Sequence, residues 1–212
     1  MNDFSLIETM RWEPGIGIVR LRLHLARLKR SAGRLGFVGA EKAEDALTDA
    51  LPNEFPMPGP LRVRLTLSPS GEIAVTTAPF TPLPENTIWR IAIASTHLDS
   101  ANNLLRHKTT RREIYETARA EYPATDADEV LLLNEKGEPC EGTITSIFLD
   151  DGSGILKTPP ISCGLLAGVL RTELICERRA RVQHLTLEDL RMGTLYIGNS
   201  LRGLIRAELI SA

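Results

Sequence analysis

Long apolar runs, paired cysteines and an excess of one charge are all missing from this chain of 212 residues. The apolar runs, such as residues 130–133, are far too short to span a bilayer. The formal net charge of −2 gives no overall attraction to nucleic acid or to an acidic membrane surface. We therefore expect no nucleic acid and no membrane as a partner.

The 3 cysteines, Cys140, Cys163 and Cys176, are odd in number and lack the spacing of metal-binding motifs. They predict reduced thiols and no metal site. Residues 1–4 lack the basic region followed by an apolar stretch that a signal peptide has. The expected location is the cytoplasm.

The patterns that are present predict an α+β fold. With 42% hydrophobic and 25% charged residues, the composition is that of an ordinary globular protein, long enough for one large domain or two small ones. Strands outnumber helices and do not alternate with them regularly, which argues against a doubly wound sheet. The polar stretch from His97 to Arg106 predicts a hinge. We expect an N-terminal α/β domain over residues 1–97, a hinge over 98–107 and a C-terminal domain over 108–212.

Hydrophobic periodicity and turn residues predict the individual elements. The predicted helices cover residues 22–35, 41–51, 109–120, 168–176 and 188–192, and Gly36 ends the first. The predicted strands cover residues 4–11, 17–21, 61–68, 72–77, 89–94, 129–133, 141–149, 194–197 and 204–210. A proline-rich connection runs from Pro52 to Pro60.

Glu141 occupies an unusual position for an acid. It begins the second strand of a predicted hairpin that turns at residues 136–137, and it precedes Gly142 and the small hydroxyl residues Thr143 and Thr145. A carboxylate in that setting, beside apolar strands, suggests a cationic partner. Taken alone, a strand-end glutamate that faces water is the commoner arrangement.

Three further stretches favour a site. Arg27 lies in the apolar stripe of the first helix, where its planar guanidinium suits a phosphate or carboxylate, although it could also extend along the helix edge to water. Gly168 precedes a helix whose first N–H groups, of Val169 and Leu170, would face an anion, although a glycine that only eases helix entry is common.

The third stretch is the cationic cluster of residues 106–112, which contains Lys108 at the predicted start of a helix. Positive charge there opposes the helix dipole and therefore suggests a partner. Neighbouring cations also favour the neutral, nucleophilic form of an amine. The alternative is a solvated basic surface.

These stretches supply an amine, an acid, a guanidinium and a helix start, which are the parts that pyridoxal phosphate requires. At these residues the sequence resembles the class IV aminotransferase family, the fold type IV pyridoxal-phosphate enzymes. The resemblance covers nearly the whole chain through ordered motifs at residues 6–11, 24–28, 108, 141–148, 168–171 and 198–200.

The resemblance implies a two-domain α+β fold. It places pyridoxal 5'-phosphate in a cleft between an N-terminal α/β part and a C-terminal β-rich pseudo-barrel part, and it implies a homodimer that acts on a small-molecule substrate. Residue by residue, Lys108 matches the catalytic lysine that bonds the cofactor, and Glu141 matches the partner of the pyridine nitrogen.

The same resemblance assigns further cofactor-binding residues. Arg27 matches the phosphate-binding arginine, and Val169 and Leu170 match the backbone phosphate donors. The pair Asn199-Ser200 matches a short loop that closes on the phosphate. Thr145, in the motif after Glu141, belongs to the same predicted set.

Within the family, the finer resemblance is to the aminodeoxychorismate lyases, which convert 4-amino-4-deoxychorismate to p-aminobenzoate and pyruvate in folate biosynthesis. Arg112 follows Lys108 by four residues, as in the lyases, whereas Glu113 stands where branched-chain aminotransferases have a tyrosine. Two alternatives stay open. One is a class IV aminotransferase for branched-chain or D-amino acids. The other is a non-catalytic binding module, for which loss of Lys108 or Glu141 would be expected.

One departure concerns the substrate carboxylate. Many members of the family place an arginine just after the strand predicted at residues 61–68, where this chain has Pro69 and Ser70. Arginine side chains elsewhere could substitute, and the candidates are Arg62, Arg64, Arg106 and Arg202.

Overall fold

The computed structural model describes residues 4–51 and 59–210. Residues 52–58 of the predicted proline-rich connection lie outside the described residues. The chain divides into two compact units and passes between them repeatedly. The first unit combines the chain up to Leu83 with His107–Arg111 and Ser200–Arg202. The second combines Pro84–Arg106, Arg112–Asn199 and the chain from Gly203 onwards.

Within the described residues of the first unit, four strands form a sheet in the order β2-β1-β3-β4. Their bounds are Leu6–Glu13 (β1), Gly17–Ile18 (β2), Leu61–Leu67 (β3) and Ile73–Pro79 (β4). Neighbouring strands are antiparallel. The alternation in β3 buries Val63 and Leu65 and exposes Arg62 and Arg64, as the period of two along a strand requires.

In the described part of the first unit, two α-helices accompany this sheet, α1 (Leu21–Leu35) and α2 (Ala43–Ala50). The buried face of α1 carries Leu25, Leu28 and Ala32, at the spacing of successive helical turns. Gly36 ends α1 in the left-handed conformation (φ 74°) and donates its N–H to the carbonyl of Ala32. The predicted first helix and its glycine stop are therefore confirmed.

The segment His107–Arg111 extends the edge of β1 rather than beginning a helix. The N–H of Ile7 donates to the carbonyl of Lys108 at 2.9 Å, and the N–H of Thr110 donates to the carbonyl of Ser5 at 2.9 Å. Because these backbone groups pair with the first strand, they are not available for helical hydrogen bonds. The helix predicted from residue 109 therefore begins at residue 113.

The second unit is built on a mixed sheet. Among its described residues, eight strands follow the order β10-β9-β8-β11-β12-β5-β6-β7. Their bounds are Ile88–Leu98 (β5), Glu129–Asn134 (β6), Pro139–Gly142 (β7), Ser146–Asp150 (β8), Leu156–Thr158 (β9), Ala180–Val182 (β10), Thr194–Asn199 (β11) and Gly203–Leu209 (β12).

An additional pairing closes this sheet. Glu141 in β7 lies opposite Ser146 in β8, so the run β8-β11-β12-β5-β6-β7 returns to its first strand. Closure of a sheet on itself removes two free edges. The expectation of an α+β fold is confirmed, and the second unit has the expected β-rich, barrel-like sheet.

β5 is longer than predicted and belongs to the second unit. It runs to Leu98, where a hinge was expected, and it pairs in parallel with both β6 and β12. Because parallel partners come from distant parts of the chain, local periodicity gives no sign of them. The observed division after Leu83 therefore differs from the predicted boundary at residue 97.

Three helices complete the second unit: α3 (Glu113–Ala120), α4 (Val169–Cys176) and α5 (Leu187–Met192). Thr186 and Asp189 form a capping box at the start of α5. A core cluster joins α3 to β5 and β6 through residues that include Leu98, Tyr115 and Val130. In the described chain, no helix is both long and apolar enough to cross a membrane.

Candidate active site

The structure places Lys108 in the first unit, on the backbone segment that pairs with β1. Its side chain is half-buried. His107 beside it is held by a hydrogen bond between its Nδ1 and the Ser31 hydroxyl at 2.9 Å. Strand pairing therefore fixes the backbone of this lysine.

The cationic cluster around Lys108 does not lie at a helix start, so that prediction was wrong. We expected positive charge at a helix start, but α3 begins at Glu113, and its first turn carries the acidic side chains of Glu113 and Glu116. Acidic side chains at the start of a helix interact favourably with the helix dipole. Arg111 instead places its guanidinium 5.0 Å from the centre of the Phe4 ring.

Arg27 is buried and pairs with a buried carboxylate. Its Nε donates to Glu8 Oε1 at 2.8 Å, and its Nη2 donates to Glu8 Oε2 at 2.6 Å. This bidentate pair excludes the alternative in which Arg27 extends along the helix edge to water. Glu8 occupies two nitrogens of the guanidinium, so the remaining terminal nitrogen can still donate to an anion such as a phosphate.

His24 extends this pair towards a second predicted phosphate residue. Its Nδ1 lies 2.6 Å from Glu8 Oε2, and its Nε2 lies 2.7 Å from the Ser200 hydroxyl. All of these side chains are buried. The structure thus brings Arg27 and Ser200 into one hydrogen-bonded group through Glu8 and His24, which we call the arginine group.

Electrostatics fix the charges in the arginine group. Burial raises the pKa of Glu8, but the charge of Arg27 and the hydrogen bonds from His24 and Arg27 outweigh it and lower that pKa to about 2. Burial lowers the pKa of His24, against the opposing effect of Glu8. Glu8 is therefore ionised and His24 favours its neutral form at neutral pH.

Sequence reasoning assigned no role to Glu8 or His24. Both lie inside motifs that carried the family resemblance, residues 6–11 and 24–28. A signal was available, because the alternate strand positions on either side of Glu8, Leu6 and Met10, are apolar, and a carboxylate on such a face needs a partner. Only the fold shows that they meet.

In the second unit, Glu141 is buried in β7 and does not face water. The Tyr115 hydroxyl donates to Oε1 at 2.7 Å, and the backbone N–H of Leu166 donates to Oε2 at 3.2 Å. Burial and the neighbouring Glu141 raise the pKa of Tyr115, so its hydroxyl remains a donor. These bonds orient the carboxylate within the second unit.

Thr145 lies close by, and its hydroxyl donates to Glu129 Oε2 at 3.0 Å. Glu129 is fully buried and also accepts from the hydroxyl and N–H of Thr143 and from the N–H of Ile144. This carboxylate holds the loop between β7 and β8. The single strand predicted over residues 141–149 is therefore two strands, and the interaction found for Thr145 is with Glu129.

The start of α4 packs closely against β8. The first N–H groups of a helix, here those of Val169 and Leu170, have no carbonyl four residues earlier within the helix. Gly168 approaches β8 so closely that an added Cβ would lie 2.6 Å from the Ser146 hydroxyl oxygen. An added Cβ at Gly198 would lie 2.4 Å from the Gly203 carbonyl oxygen. Both glycines therefore allow a close approach that a side chain at either position would prevent.

Asn199 and Arg112 position the loop at residues 143–145. The side-chain amide of Asn199 donates to the Ile144 carbonyl at 3.1 Å, and Arg112 donates to the Thr143 carbonyl. The Arg112 guanidinium also lies 4.8 Å from the centre of the Tyr115 ring. Beside these residues the second unit has a cavity of about 480 Å³, lined also by Arg119 and Tyr122.

The family model for class IV amino-transferases matches residues 5–210. The chain belongs to the class IV aminotransferase family. Members of this family use pyridoxal phosphate, and each unit contains groups of the kind that this cofactor needs. The first unit has the buried guanidinium of Arg27, and the second has the buried, oriented carboxylate of Glu141 and the helix start at Val169.

Several solved structures share the fold of this class IV chain. A Mesorhizobium loti protein, provisionally named an amino-acid aminotransferase, is 50% identical with a TM-score of 0.93, and the match covers 98% of this chain and 100% of that one. A provisionally named 4-amino-4-deoxychorismate lyase is 29% identical with a TM-score of 0.80, over 96% of this chain and 84% of that one.

A branched-chain aminotransferase from Thermoproteus uzoniensis, solved with norvaline, is 24% identical with a TM-score of 0.82, over 97% of this chain and 78% of that one. At that identity the likeness shows the fold alone. None of the curated proteins compared with the chain matches it.

Proposed function

We propose that this class IV enzyme is a pyridoxal-phosphate-dependent lyase that converts 4-amino-4-deoxychorismate to p-aminobenzoate and pyruvate. The observation that carries the proposal is the position of Arg112, four residues after Lys108, with Glu113 in place of the tyrosine of branched-chain aminotransferases. The Arg112 guanidinium lies over the Tyr115 ring and donates to the Thr143 carbonyl, and these contacts hold its side chain in place. The likeness to a provisionally named lyase at 29% identity supports the same choice.

When bound, pyridoxal phosphate supplies an electron sink for a carbanion. Lys108 would bond the cofactor and, once displaced by the substrate amine, would take the proton from substrate C4 as general base. The electrons left at C4 would form a third double bond in the ring, to the neighbouring carbon, as the bond from that carbon to the pyruvyl ether oxygen breaks. Pyruvate then leaves as its enol, and the ring becomes aromatic.

Other residues of the chain would hold charge in place. Glu141 would keep the pyridine nitrogen protonated, because an ionised carboxylate favours the charged ring. Arg27, Ser200, Asn199 and the N–H groups at the start of α4 would hold the phosphate. The proposal includes a homodimer, as the resemblance implies, and light scattering of the purified protein would test it.

Transamination is the second candidate. It is favoured by the protein of 50% identity, which is provisionally named an amino-acid aminotransferase. Lys108 and Glu141 would have the same roles, but Lys108 would return the proton to a carbon of the cofactor. The branched-chain and D-amino acid versions both remain within this candidate.

One assay with two arms separates these candidates. The purified protein is incubated with 4-amino-4-deoxychorismate, and p-aminobenzoate and pyruvate are quantified. In parallel it is incubated with branched-chain or D-amino acids and keto acids. The lyase proposal predicts equal amounts of both products in the first arm, lost in Lys108→Ala. Turnover confined to the second arm would overturn it in favour of transamination.

A further inference from the structure

We propose a Zn²⁺ site in the second unit, formed by Glu138, Cys163 and His184. Within residues 4–51 and 59–210, these side chains form the one group of His, Cys, Asp or Glu ligands whose atoms all lie within 4.8 Å of one another. Thiolate, imidazole and carboxylate together are a ligand set for a borderline-soft divalent cation.

The distances between the ligand atoms agree with tetrahedral zinc. Cys163 Sγ lies 3.7 Å from His184 Nδ1, and that nitrogen lies 3.2 Å from Glu138 Oε1. Zinc bonds of ordinary length at tetrahedral angles would separate sulfur from nitrogen by about 3.6 Å and nitrogen from oxygen by about 3.4 Å. These two separations are close to the expected values, and the sulfur and the carboxylate oxygen lie within 4.8 Å of each other.

A buried amide holds two of the ligand residues. Asn134 Nδ2 donates to Glu138 Oε2 at 2.7 Å and to the Cys163 carbonyl at 3.2 Å. This occupies one carboxylate oxygen and leaves Oε1 directed at His184. The Cys140 thiol donates to the carbonyls of Glu138 and Cys163, at 3.3 and 3.1 Å. Fixed outer partners of this kind are typical of metal ligands.

An ion in solvent can reach these ligands. Cys163 is buried, whereas the His184 side chain is 65% exposed, so an ion could enter from solvent and keep water as its fourth ligand. Binding would form the metal–sulfur bond, and the thiol proton would pass to solvent. Without metal, an exposed pair such as His184–Glu138 contributes at most about 1 kcal/mol.

The site has a structural consequence for Glu141. Cys163 lies three residues before Leu166, whose N–H donates to Glu141, and Glu138 lies three residues before Glu141 itself. A bound ion would therefore join the two segments that position this carboxylate. We expect it to stabilise the second unit and not to take part in the reaction.

The sequence predicted no metal site because the cysteine spacing contains no metal motif. The three ligands come from positions 138, 163 and 184, separated by entire elements of the fold. Only the fold brings them together.

Binding is tested on the intact protein after treatment with a chelator. Zn²⁺ affinity is measured by calorimetry, and Co²⁺ is added as a spectroscopic probe, because a thiolate ligand gives a charge-transfer absorption in difference spectra. His184→Gln is matched with His97→Gln, another exposed histidine, and Cys163→Ser is matched with Cys176→Ser, an exposed cysteine.

We expect one Zn²⁺ per chain and a Co²⁺ charge-transfer band. His184→Gln and Cys163→Ser should each weaken Zn²⁺ binding by at least about tenfold. His97→Gln and Cys176→Ser should leave it unchanged. Because His184 is exposed, its variant should fold even if Cys163→Ser does not. Equal affinity in His184→Gln and His97→Gln, or no band with Co²⁺, would overturn the proposal.

Discussion

Glu8 and Glu141 are both buried carboxylates, but different kinds of donor surround them. Glu8 is held by the cationic Arg27 and by His24, within the arginine group. Glu141 accepts hydrogen bonds from the Tyr115 hydroxyl and the Leu166 backbone N–H, and the buried Arg171 cation also interacts with its charge. The first carboxylate is thus paired directly with a guanidinium, whereas the hydrogen bonds that orient the second come from a hydroxyl and a backbone N–H.

Glu8 should make the stability of the protein sensitive to acid. Its pKa in the fold is about 2, below the ordinary value of 4.5, so its contribution is complete above about pH 4.5 and is lost as the pH falls towards 2. The shift corresponds to roughly 3 kcal/mol of unfolding free energy. We expect the unfolding free energy of Glu8→Gln, measured by urea titration from pH 5 to pH 2, to fall less steeply than that of the wild type.

Since Glu8→Gln also leaves Arg27 buried without its carboxylate, the variant should be less stable at every pH. The test therefore compares how steeply the unfolding free energy changes with pH in the two proteins, and not its absolute value. Parallel profiles for the two proteins would show that Glu8 does not contribute in this way.

Glu141 should affect rate more than folding. Glu141→Gln preserves shape but removes the charge that would keep the cofactor nitrogen protonated. We expect turnover to fall at least about tenfold, or about 1.4 kcal/mol of barrier, with cofactor still bound. Turnover and cofactor absorbance are measured together, with the exposed Glu208→Gln as control. Undiminished turnover in Glu141→Gln would remove this residue from the chemistry.

At the scale of elements, the sequence predicted best where local rules decide. The apolar stripe of α1 and its stop at Gly36 are local features, and both are confirmed. Residues 141–149 show where local rules fail. Their alternating pattern continues through residues 143–145 and predicts one strand. The buried carboxylate of Glu129, a dozen or more residues earlier, binds Thr143 and Thr145 and interrupts that strand. Residues 108–110 likewise pair with the first strand, so the helix predicted from residue 109 begins only at Glu113.

Two glycines at the end of α1 should respond oppositely to the same substitution. Gly33 is exposed inside the helix with open space around it, so Gly33→Ala should stabilise the protein by about 0.5–1 kcal/mol. Gly36 has φ 74°, so Gly36→Ala should destabilise it by about 1 kcal/mol. Urea titration of both variants measures the difference. Changes of the same sign would contradict the assigned helix end.

The start of α4 carries a prediction about the cofactor. Gly168→Val would place its Cβ against the Ser146 hydroxyl and push the first turn of the helix away from β8. We expect weaker binding of pyridoxal phosphate to the apoprotein, whereas Gly33→Ala should bind it as the wild type does. Fluorescence titration gives both affinities. Equal affinities would mean that Gly168 only eases entry into the helix.

At the scale of the whole molecule, the predicted site residues come from distant parts of the chain. His24 and Ser200 are 176 residues apart in the sequence and yet hydrogen-bonded. Local patterns cannot predict such a pair, because they describe only neighbouring residues. The ordered motifs of the family predicted which residues to consider, and the fold then added Glu8, His24 and Tyr115 as their partners.

The proposed chemistry depends first on Lys108, which belongs to the first unit. The most direct test is to identify the lysine that bonds it. The purified protein is reduced with borohydride, digested and analysed by mass spectrometry, with Lys136→Ala, at an exposed turn, as control. We predict the pyridoxyl group on Lys108, and no visible cofactor absorption in Lys108→Ala. A pyridoxyl group on any other lysine would contradict the proposed active site.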